Sequence, residues 1–284
     1  MKKIFLWVAI CLPLLAACDK EDLGASDIHV PEFDYASLSE TDKYIYDNYT
    51  VPYNVAVVYR WNQGDMSSDD MRKNLVPPRE DQVKPFLDMI KQVWVDTYTE
   101  EMGAQTLREY IPKQILLVGS SSYNDDGSTT GGTAEGGRQI VLYNVNEFDF
   151  QLSQIQSYAH VMHHEFAHIL HQTVEYDSEF EKLTPAYSSS WMQMSDETAR
   201  SQGFITAYAS SSANEDFAEM VSQMLTHSPE EWDALIEGAG NAEAVEHLRS
   251  KEAIVISYMK NNWNVDMETF QVDVMEAIEA AARQ

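Results

Sequence analysis

The chain is long enough for one large or two small domains, and its composition is strongly acidic. It has 284 residues, of which 46 are Asp or Glu and 19 are Lys or Arg, so its formal net charge is −27. A charge of this sign and size repels nucleic acids and anionic lipid headgroups, so we exclude both as binding partners. The two cysteines, Cys11 and Cys18, both lie near the start of the chain. We therefore expect no disulfide bond in the remaining sequence.

Residues 1–17 have the composition of a secretory signal peptide. Lys2 and Lys3 precede an apolar run over residues 4–15, and small residues follow it. The apolar run is too short to cross a membrane as a helix. We therefore predict that residues 1–17 are removed on export and take no part in the fold.

The end of this signal segment resembles a bacterial lipobox. The sequence Leu-Ala-Ala-Cys ends at Cys18, and the resemblance implies that Cys18 is lipidated and anchors the protein in the outer membrane. The acidic residues 19–22 are similar to the export signal of surface-displayed lipoproteins in gut Gram-negative bacteria. This similarity implies that the protein faces the cell exterior. Residues 18–36 are then the lipidated cysteine and an acidic tether, and residues 37–284 form the folded domain.

Beyond the tether, strand patterns are concentrated in the first half of the chain and helix patterns in the second. Runs of β-branched and apolar residues predict strands, and apolar residues spaced three and four apart predict helices. The predicted strands cover residues 55–59, 115–118 and 138–143, and the predicted helices cover residues 39–49, 79–101, 151–172, 213–225, 229–236, 242–259 and 267–283. This order predicts an α+β fold with two lobes, a small mixed sheet in the first lobe and helices in the second.

The segment between the second and third predicted strands is interpreted as a loop. Residues 119–137 are rich in Gly, Ser, Thr, Asn and Asp, a composition typical of long surface loops. The strand that follows, residues 138–143, leads into the 151–172 helix. We interpret this strand as the edge of the sheet, to which an extended peptide could add.

The helix over residues 151–172 carries the clearest chemical pattern of the chain. His164 and His168 are four residues apart, so they lie one turn apart on one helical face and both imidazoles can reach a single ion. Glu165 points into the space between them. Two imidazole ligands and a carboxylate base form the HExxH arrangement of zinc hydrolases, so we expect Zn²⁺ at this position.

The two faces of this helix differ in composition. Apolar residues recur on one face: Ile155, Ala159, Met162, Phe166 and Ile169. Histidines occupy the opposite face: His160, His164, His168 and His171. We expect the apolar face to pack on the core and the histidine face to line a cleft. We interpret His160, His163 and His171 as residues that support the ligands or line the cleft, rather than as ligands.

A catalytic zinc site needs a third protein ligand, and several carboxylates follow the HExxH helix. The third histidine of metzincins is absent, because Val174 occupies that position. Glu175 would lie about 10 Å from His168 along a continuing helix, so it could bind the metal only if the helix ended first. Asp196 and Glu197 are further candidates, although they fit the start of a helix better.

The helix over residues 213–225 offers the better candidates. Glu215 and Glu219 share one of its faces, opposite an apolar face formed by Phe217, Val221 and Met224. Asn214 is a suitable N-cap for this helix. The helix thus repeats the layout of the HExxH helix, with an apolar face towards the core and metal-binding residue types on the other side.

The sequence Asn-Glu-x-x-x-Glu that ends at Glu219, downstream of HExxH, resembles the pattern of gluzincins, the thermolysin-like and lethal-factor-like peptidases. The resemblance implies a zincin-like fold for residues 37–284, with Glu215 as the third zinc ligand. It implies that Glu219 supports His164 through its Nδ1 atom. Lethal-factor-like peptidases also have a tyrosine facing the zinc at the position of Tyr208, which implies that Tyr208 stabilises the oxyanion formed during hydrolysis.

The signal segment, the tether and the sequences HEFAHILHQ and NEDFAE together are similar to zinc metallohydrolase lipoproteins associated with substrate import. This similarity implies a partnership with a TonB-dependent outer-membrane transporter and its substrate-binding lipoprotein. The expected function is a surface-anchored zinc peptidase that acts on peptides or proteins, with Glu165 as general base. Two alternatives stay open: a non-catalytic zinc-binding lipoprotein that serves an importer, and a hydrolase of a non-peptide bond.

Overall fold

The computed structural model describes residues 33–68, 70–124, 129–135 and 138–284. The predicted signal peptide, the predicted lipidation site Cys18 and residues 19–32 of the predicted tether lie outside the described residues. Residues 38–284 form one structural unit. Within the described part of the chain, no helix has both the length and the hydropathy needed to cross a membrane.

The elements follow one another in an order close to the predicted one. The described helices are α1 (Glu40–Ile45), α2 (Val51–Tyr53), α3 (Glu80–Ile90), α4 (Thr97–Met102), α5 (Ala104–Tyr110), α6 (Leu152–Thr173), α7 (Glu179–Leu183), α8 (Asp196–Arg200), α9 (Ala213–Leu225), α10 (Pro229–Glu237), α11 (Ala242–Trp263) and α12 (Met267–Ala282). The π-helical segments Tyr46–Thr50 and Lys91–Asp96 join α1 to α2 and α3 to α4. The described strands are β1 (Ala56–Val58), β2 (Gln114–Leu117), β3 (Ser122–Tyr123), β4 (Thr129–Thr130), β5 (Gly132–Glu135) and β6 (Gln139–Leu142).

A four-stranded sheet with the order β1-β2-β6-β5 lies in the first half of the unit. β1, β2 and β6 are parallel, and β5 runs antiparallel to β6. Ile115 and Leu117 of β2 pack into the main core, whereas Leu116 packs into a smaller apolar cluster. Both faces of β2 are therefore covered, which explains why its sequence is a continuous apolar run rather than an alternating one.

The edge of this sheet differs from the sequence-based expectation. Residues 138–143 are predicted as the edge strand, but β6 lies between β2 and β5, and β5 forms the edge. The predicted loop over residues 119–137 contains β3, β4 and β5. Gly132 lets β5 run close to α6, because a Cβ atom at this position would lie 2.5 Å from Val161. A glycine-containing segment gives a weak strand signal, so pairing with β6 is what makes it a strand.

α6 has the two faces that its sequence predicts. The residues of its apolar face are all buried: Ile155, Ala159, Met162, Phe166 and Ile169. The ring of Phe166 meets Trp94 and Tyr98 edge-on, at centroid distances of 5.8 and 4.6 Å. Burial of each large apolar side chain stabilises the fold by about 1.5–3 kcal/mol. This packing fixes the rotation of α6 and therefore the direction of its histidine face.

Helices from the C-terminal half cover α6, and α9 and α12 both pack against it. Phe217 and Val221 of α9 are completely buried, and Phe270 of α12 meets Tyr98 at 4.7 Å. The predicted bounds of α9 agree with the structure, and α10, α11 and α12 begin at the predicted residues. The predicted α+β architecture, a small mixed sheet followed by helices, is therefore confirmed.

Candidate metal centre

His164 and His168 face a cleft from adjacent turns of α6. Their Nε2 atoms are 3.1 Å apart, as expected for two side chains four residues apart on one helical face. His164 is only 5% exposed. The packing of the apolar face of α6 thus delivers two imidazole nitrogens to one point.

Glu215, in the first turn of α9, completes a triangle of donor atoms. Its Oε2 atom lies 3.1 Å from the Nε2 atom of His164 and 3.1 Å from that of His168. The N-cap of α9 is Ser212, whose side chain accepts a hydrogen bond from the backbone N–H of Glu215. The prediction of Asn214 as the N-cap is therefore wrong. Asn214 lies inside the helix, and its side chain accepts a hydrogen bond from the hydroxyl of Tyr176.

The three donor atoms fit a zinc ion. Zinc binds imidazole nitrogen and carboxylate oxygen at about 2.0–2.2 Å in tetrahedral geometry, which separates neighbouring ligand atoms by about 3.4 Å. The sides of the triangle, 3.1 Å each, are close to that value. Two histidines and one glutamate are also a donor set of catalytic zinc sites, in which the fourth position stays open. These residues could hold the metal.

The other carboxylates considered from the sequence do not reach this triangle. α6 ends at Thr173, and Glu175 lines a separate cavity of about 420 Å³. Asp196 and Glu197 lie in the first turn of α8, and Asp196 accepts a hydrogen bond from the backbone N–H of Ala207. Ending α6 early therefore does not bring Glu175 to the histidines.

Glu219 lies one turn after Glu215 and supports His164 from behind. Its Oε1 atom is 2.9 Å from Nδ1 of His164 and 3.0 Å from Nε2 of His160. Its Oε2 atom accepts a hydrogen bond from the hydroxyl of Thr206 at 2.7 Å. Burial alone would raise the pKa of Glu219, but His160 and His164 hold it well below its usual range. Glu219 is therefore a permanent carboxylate behind the Nδ1 atom of His164.

The protonation of His164 in the metal-free site depends on these two carboxylates. Burial alone would lower the pKa of His164, but Glu215 and Glu219 raise it to about 10. His164, His160 and Glu219 also form a second group of donor atoms close enough together to hold a metal. In that group Nδ1 of His164 already contacts a carboxylate, which is the usual partner behind a metal-binding imidazole.

His171 supports His168 in the way that Glu219 supports His164. The Nδ1 atom of His168 and the Nε2 atom of His171 are 2.9 Å apart. His171 is only 5% exposed, and burial, together with the neighbouring His168, lowers its pKa to about 4. A neutral His171 can accept the hydrogen bond that Nδ1–H of His168 donates, which leaves Nε2 of His168 free to bind a metal.

The remaining histidines of the HExxH helix have different surroundings. His160 lines the cleft and contacts Glu219, as already described. His163 is completely buried between Tyr98 and Phe270, at ring distances of 5.5 and 6.1 Å, and burial lowers its pKa to about 3. The expectation that His163 lines the cleft or supports a ligand is wrong, because its helical position faces the core.

Glu165 and Tyr208 both line the cleft at the metal centre. Burial raises the pKa of Glu165, although the charges of His164 and His168 act in the opposite direction. Tyr208 is 37% exposed, and its ring lies 5.8 Å from that of His164. Burial, the charge of Glu215 and a hydrogen bond to it raise the pKa of Tyr208. Its phenol therefore stays protonated and can donate a hydrogen bond.

The cleft has a volume of about 1050 Å³ and is bounded by more than the motif residues. Thr130, Gly132 and Thr133 contribute to one wall, and Trp191 and Met192 contribute to another. Sequence reasoning missed all five. Thr130 and Gly132 fall in the segment predicted as a loop, and Trp191 lies in a stretch without a readable motif.

Comparison with known proteins identifies the family of the chain. Residues 35–268 match the model of a family described as "Putative zinc-binding metallo-peptidase". A crystal structure of a "putative zinc-binding metallo-peptidase" from Bacteroides caccae ATCC 43185 is similar, with a TM-score of 0.74 and 32% sequence identity. The match covers 91% of this chain and 98% of that chain. No curated protein matches the chain. The chain belongs to this zinc-binding metallo-peptidase family.

Proposed function

We propose that the protein is a zinc-dependent peptidase of the gluzincin type, with His164, His168 and Glu215 as the zinc ligands. The observation that carries the proposal is the triangle of three donor atoms, each 3.1 Å from the other two. Membership of a zinc-binding metallo-peptidase family supports it. Glu219, in the second turn of α9, then supports His164.

We assign the proton transfers to Glu165. When bound, zinc supplies a Lewis acid that makes a water molecule acidic near neutral pH. Glu165 lines the cleft next to both histidines, so its carboxylate can take a proton from the attacking water. Its raised pKa makes it a stronger base than an ordinary glutamate and lets it deliver the proton to the leaving amine.

We assign the stabilisation of the substrate carbonyl oxygen to Tyr208. This tyrosine lines the cleft beside His164 and Glu215, and its raised pKa keeps the hydroxyl group protonated. A hydrogen bond to the oxygen on which negative charge develops stabilises the transition state more than the ground state. Glu219 has a positioning role, because its contact with Nδ1 fixes the tautomer of His164.

We propose that a peptide or protein substrate lies along β5. β5 is an edge strand of the sheet, opposite β1, and Gly132 and Thr133 of β5 line the cleft. The outer side of an edge strand presents backbone N–H and C=O groups that an extended peptide can pair with. β5 therefore has the role that we predicted for residues 138–143, as the edge strand to which a peptide adds.

We also propose that the protein is an outer-membrane lipoprotein that faces the cell exterior and serves a TonB-dependent transporter with its substrate-binding lipoprotein. The support lies in the sequence, in the signal-like residues 1–17, in Cys18 and in the acidic residues 19–22. Metabolic labelling with a fatty acid should mark the wild type and not Cys18→Ser. Added protease should degrade the protein on intact cells, and protection from protease would contradict the outward orientation.

The catalytic assignment is tested by zinc content and peptide cleavage measured on the same purified samples. Wild type should hold about one zinc ion and cleave a mixed peptide library. Glu165→Gln should hold the same zinc, and its cleavage should fall about 10²–10⁴-fold, the range for loss of a general base. Tyr208→Phe should also keep zinc and lose about 10²–10³-fold in kcat.

Glu175→Gln is the matched control for these variants. Glu175 was a candidate third ligand from the sequence but lines a different cavity, so its variant should match wild type in zinc and cleavage. Loss of zinc in Glu175→Gln would contradict the ligand assignment. Wild type with zinc but without cleavage of any peptide would contradict the peptidase and favour a zinc-binding accessory lipoprotein or a non-peptide substrate.

A further inference from the structure

Outside the metal centre, the described residues that line the cleft include no Asp, Glu, Lys or Arg. The carboxylates that line it are Glu165, Glu215 and Glu219, and all three contact or neighbour the metal-binding histidines. Among the described residues that line the cleft there is no lysine or arginine. The carboxylate at the end of a peptide would therefore lose water without gaining a cationic side chain, which is unfavourable. The wall suits the interior of a peptide chain better than its C-terminus.

One part of this wall comes from a stretch without charged residues. Residues 183–195 contain no charged side chain, although charged residues make up 23% of the chain. Trp191 and Met192 lie in the middle of this stretch and line the cleft. A ligand at this part of the cleft therefore meets neutral side chains, although the whole protein has a net charge of −27.

The stretch is held firmly beside the metal centre. The backbone N–H of Ser188 donates to the carbonyl of Ser210 at 2.8 Å, and Met194 packs against the main core. Between these two anchors, the Trp191 ring contacts the Tyr208 ring at 4.8 Å, with an interplanar angle of 63°. Trp191 is therefore fixed next to the tyrosine that faces the metal-binding residues.

Met192 completes an apolar surface at this position. Its side chain is 67% exposed, so a methionine that could pack inside the fold faces the cleft instead. Apolar and aromatic side chains are the usual lining of ligand sites, and methionine adapts its shape to different apolar partners. Trp191 and Met192 together offer an indole face and a flexible thioether to a ligand side chain.

We propose that Trp191 and Met192 form a subsite that holds an apolar side chain of an internal peptide segment, next to the bond that is cleaved. The proposal rests on the peptidase function and names the substrate class of that site: interior segments of a polypeptide that carry a large apolar residue. Tyr208 links the subsite to the reaction, because its ring contacts Trp191 and its hydroxyl group faces Glu215. The negative charge of the whole protein acts in the same direction, because it disfavours acidic peptides.

The experiment compares peptides that are blocked at both ends and differ at one residue, which is Leu, Phe, Gln, Asp or Lys. Scanning this residue through the positions that flank the cleaved bond locates the preferred position by mass spectrometry. At that position wild type should cleave the Leu and Phe peptides at least about tenfold faster, in kcat/KM, than the Asp peptide, as expected for an apolar pocket.

The variants test whether Trp191 and Met192 produce this preference. Trp191→Ala should reduce the ratio of kcat/KM between the Phe and Asp peptides by about tenfold. Met192→Lys, at an exposed position that tolerates substitution, should raise kcat/KM for the Asp peptide relative to the Leu peptide. Val272→Ala is the matched control, because Val272 is an exposed apolar residue on α12 outside the cleft lining, and its ratios should equal those of wild type.

Unchanged ratios in both Trp191→Ala and Met192→Lys would overturn the subsite while leaving the peptidase intact. Faster cleavage of peptides with a free C-terminus at their last bond would overturn the preference for interior segments. If zinc-loaded wild type cleaves none of the peptides, the peptidase fails, and the subsite is decided by binding of the same peptides. Tighter binding of the Phe peptide than of the Asp peptide, lost in Trp191→Ala, would support it, and equal binding would overturn it.

Discussion

The first turn of α9 carries two adjacent carboxylates, Glu215 and Asp216, whose surroundings differ completely. Successive residues of a helix point about 100° apart, so one side chain faces the cleft and the other faces the interior. Glu215 contacts His164 and His168. Asp216 is completely buried, and its Oδ2 atom accepts a hydrogen bond from Nζ of Lys251 at 2.5 Å.

The pKa values of these carboxylates move in opposite directions. Burial alone would raise the pKa of Glu215, but hydrogen bonds with His164 and His168 hold it well below its usual range. Burial raises the pKa of Asp216 above its usual value, although Lys251 acts in the opposite direction. Glu215 lines the cleft and can exchange its imidazole contacts for a metal ion, whereas Asp216 and its partner Lys251 are completely buried.

The Asp216 side holds several segments together. Lys251 of α11 also donates a hydrogen bond to the carbonyl of Gly203 at 2.8 Å and lies 4.5 Å from the ring centroid of Phe204. Tyr187 donates to Asp216 at 3.0 Å. The residue type therefore does not set the role of either carboxylate. One side of the helix turn is arranged to bind an ion, and the other to fix α9 in place.

Glu215→Gln should show the largest effect, because it removes a proposed metal ligand. Zinc affinity should fall by more than about 100-fold, which is the upper range for loss of a residue that only supports a ligand, and cleavage should become undetectable. The midpoint of urea unfolding of the metal-free protein should fall less than that of Asp216→Asn, because Glu215 is partly exposed in the cleft whereas Asp216 is completely buried. Asp216→Asn should keep the zinc affinity of wild type and lower the midpoint of urea unfolding. Full zinc loading of Glu215→Gln would contradict the different roles of the two carboxylates.

Lys251→Met should be the most destabilising of these changes in the metal-free protein. It leaves Asp216 buried without its cation, and loss of one partner of a buried ion pair costs about 3–5 kcal/mol of unfolding free energy. Arg249→Met, two residues earlier on α11, is the matched control. Arg249 contacts Asp233, Glu237 and Glu252 at the surface, where loss of ion pairs costs about 1 kcal/mol or less. Equal losses in urea unfolding would refute the structural role of the buried pair.

His171→Leu should weaken zinc binding without removing a ligand. It deletes the acceptor behind Nδ1 of His168, and loss of such a contact reduces metal affinity by about 10–100-fold. His171→Gln keeps an acceptor at this position and should retain most of the affinity. Affinities are measured by competition with a zinc chelator, and identical values for the two variants would mean that His171 only fills space.

A change of one pH unit should have the smallest effect on zinc affinity among these changes. In the metal-free protein the pKa of His164 is raised to about 10, so His164 is protonated at neutral pH and must lose that proton to bind zinc. Zinc affinity should therefore fall about tenfold for each unit that pH is lowered from 9 to 7. In the metal-free protein, the contacts of protonated His164 with Glu215 and Glu219 also stabilise the fold. This contribution is complete below about pH 6.5 and is lost as pH rises through about 10.

Chelator competition at pH 7, 8 and 9 measures this slope. Glu219→Gln removes one of the carboxylates that raise the pKa of His164, so its slope should be smaller than that of wild type. An affinity that does not change between pH 7 and 9 would show that no proton is displaced from His164.

Local periodicity predicted most of the helices of this protein and the two histidines of its candidate metal centre. Helix geometry alone places His164 and His168 on one face. The apolar face of α6 could be identified because its residues recur at spacings of three and four residues. Carboxylates were harder to rank, since Glu175, Glu197 and Glu215 all follow the motif. The layout of the 213–225 helix favoured Glu215 and Glu219, and the resemblance to gluzincins then assigned the ligand role to Glu215.

Local sequence patterns located α6 and α9 and the faces that carry metal-binding residue types, because these properties depend on neighbours within a few turns. The tertiary structure was needed to show which carboxylate meets the histidines, because Glu215 is 47 residues from His168. It also decided that β5 rather than β6 is the edge strand, that His163 faces the core, and that Asp216 pairs with Lys251. Each of these depends on contacts between segments distant in sequence, which no local pattern records.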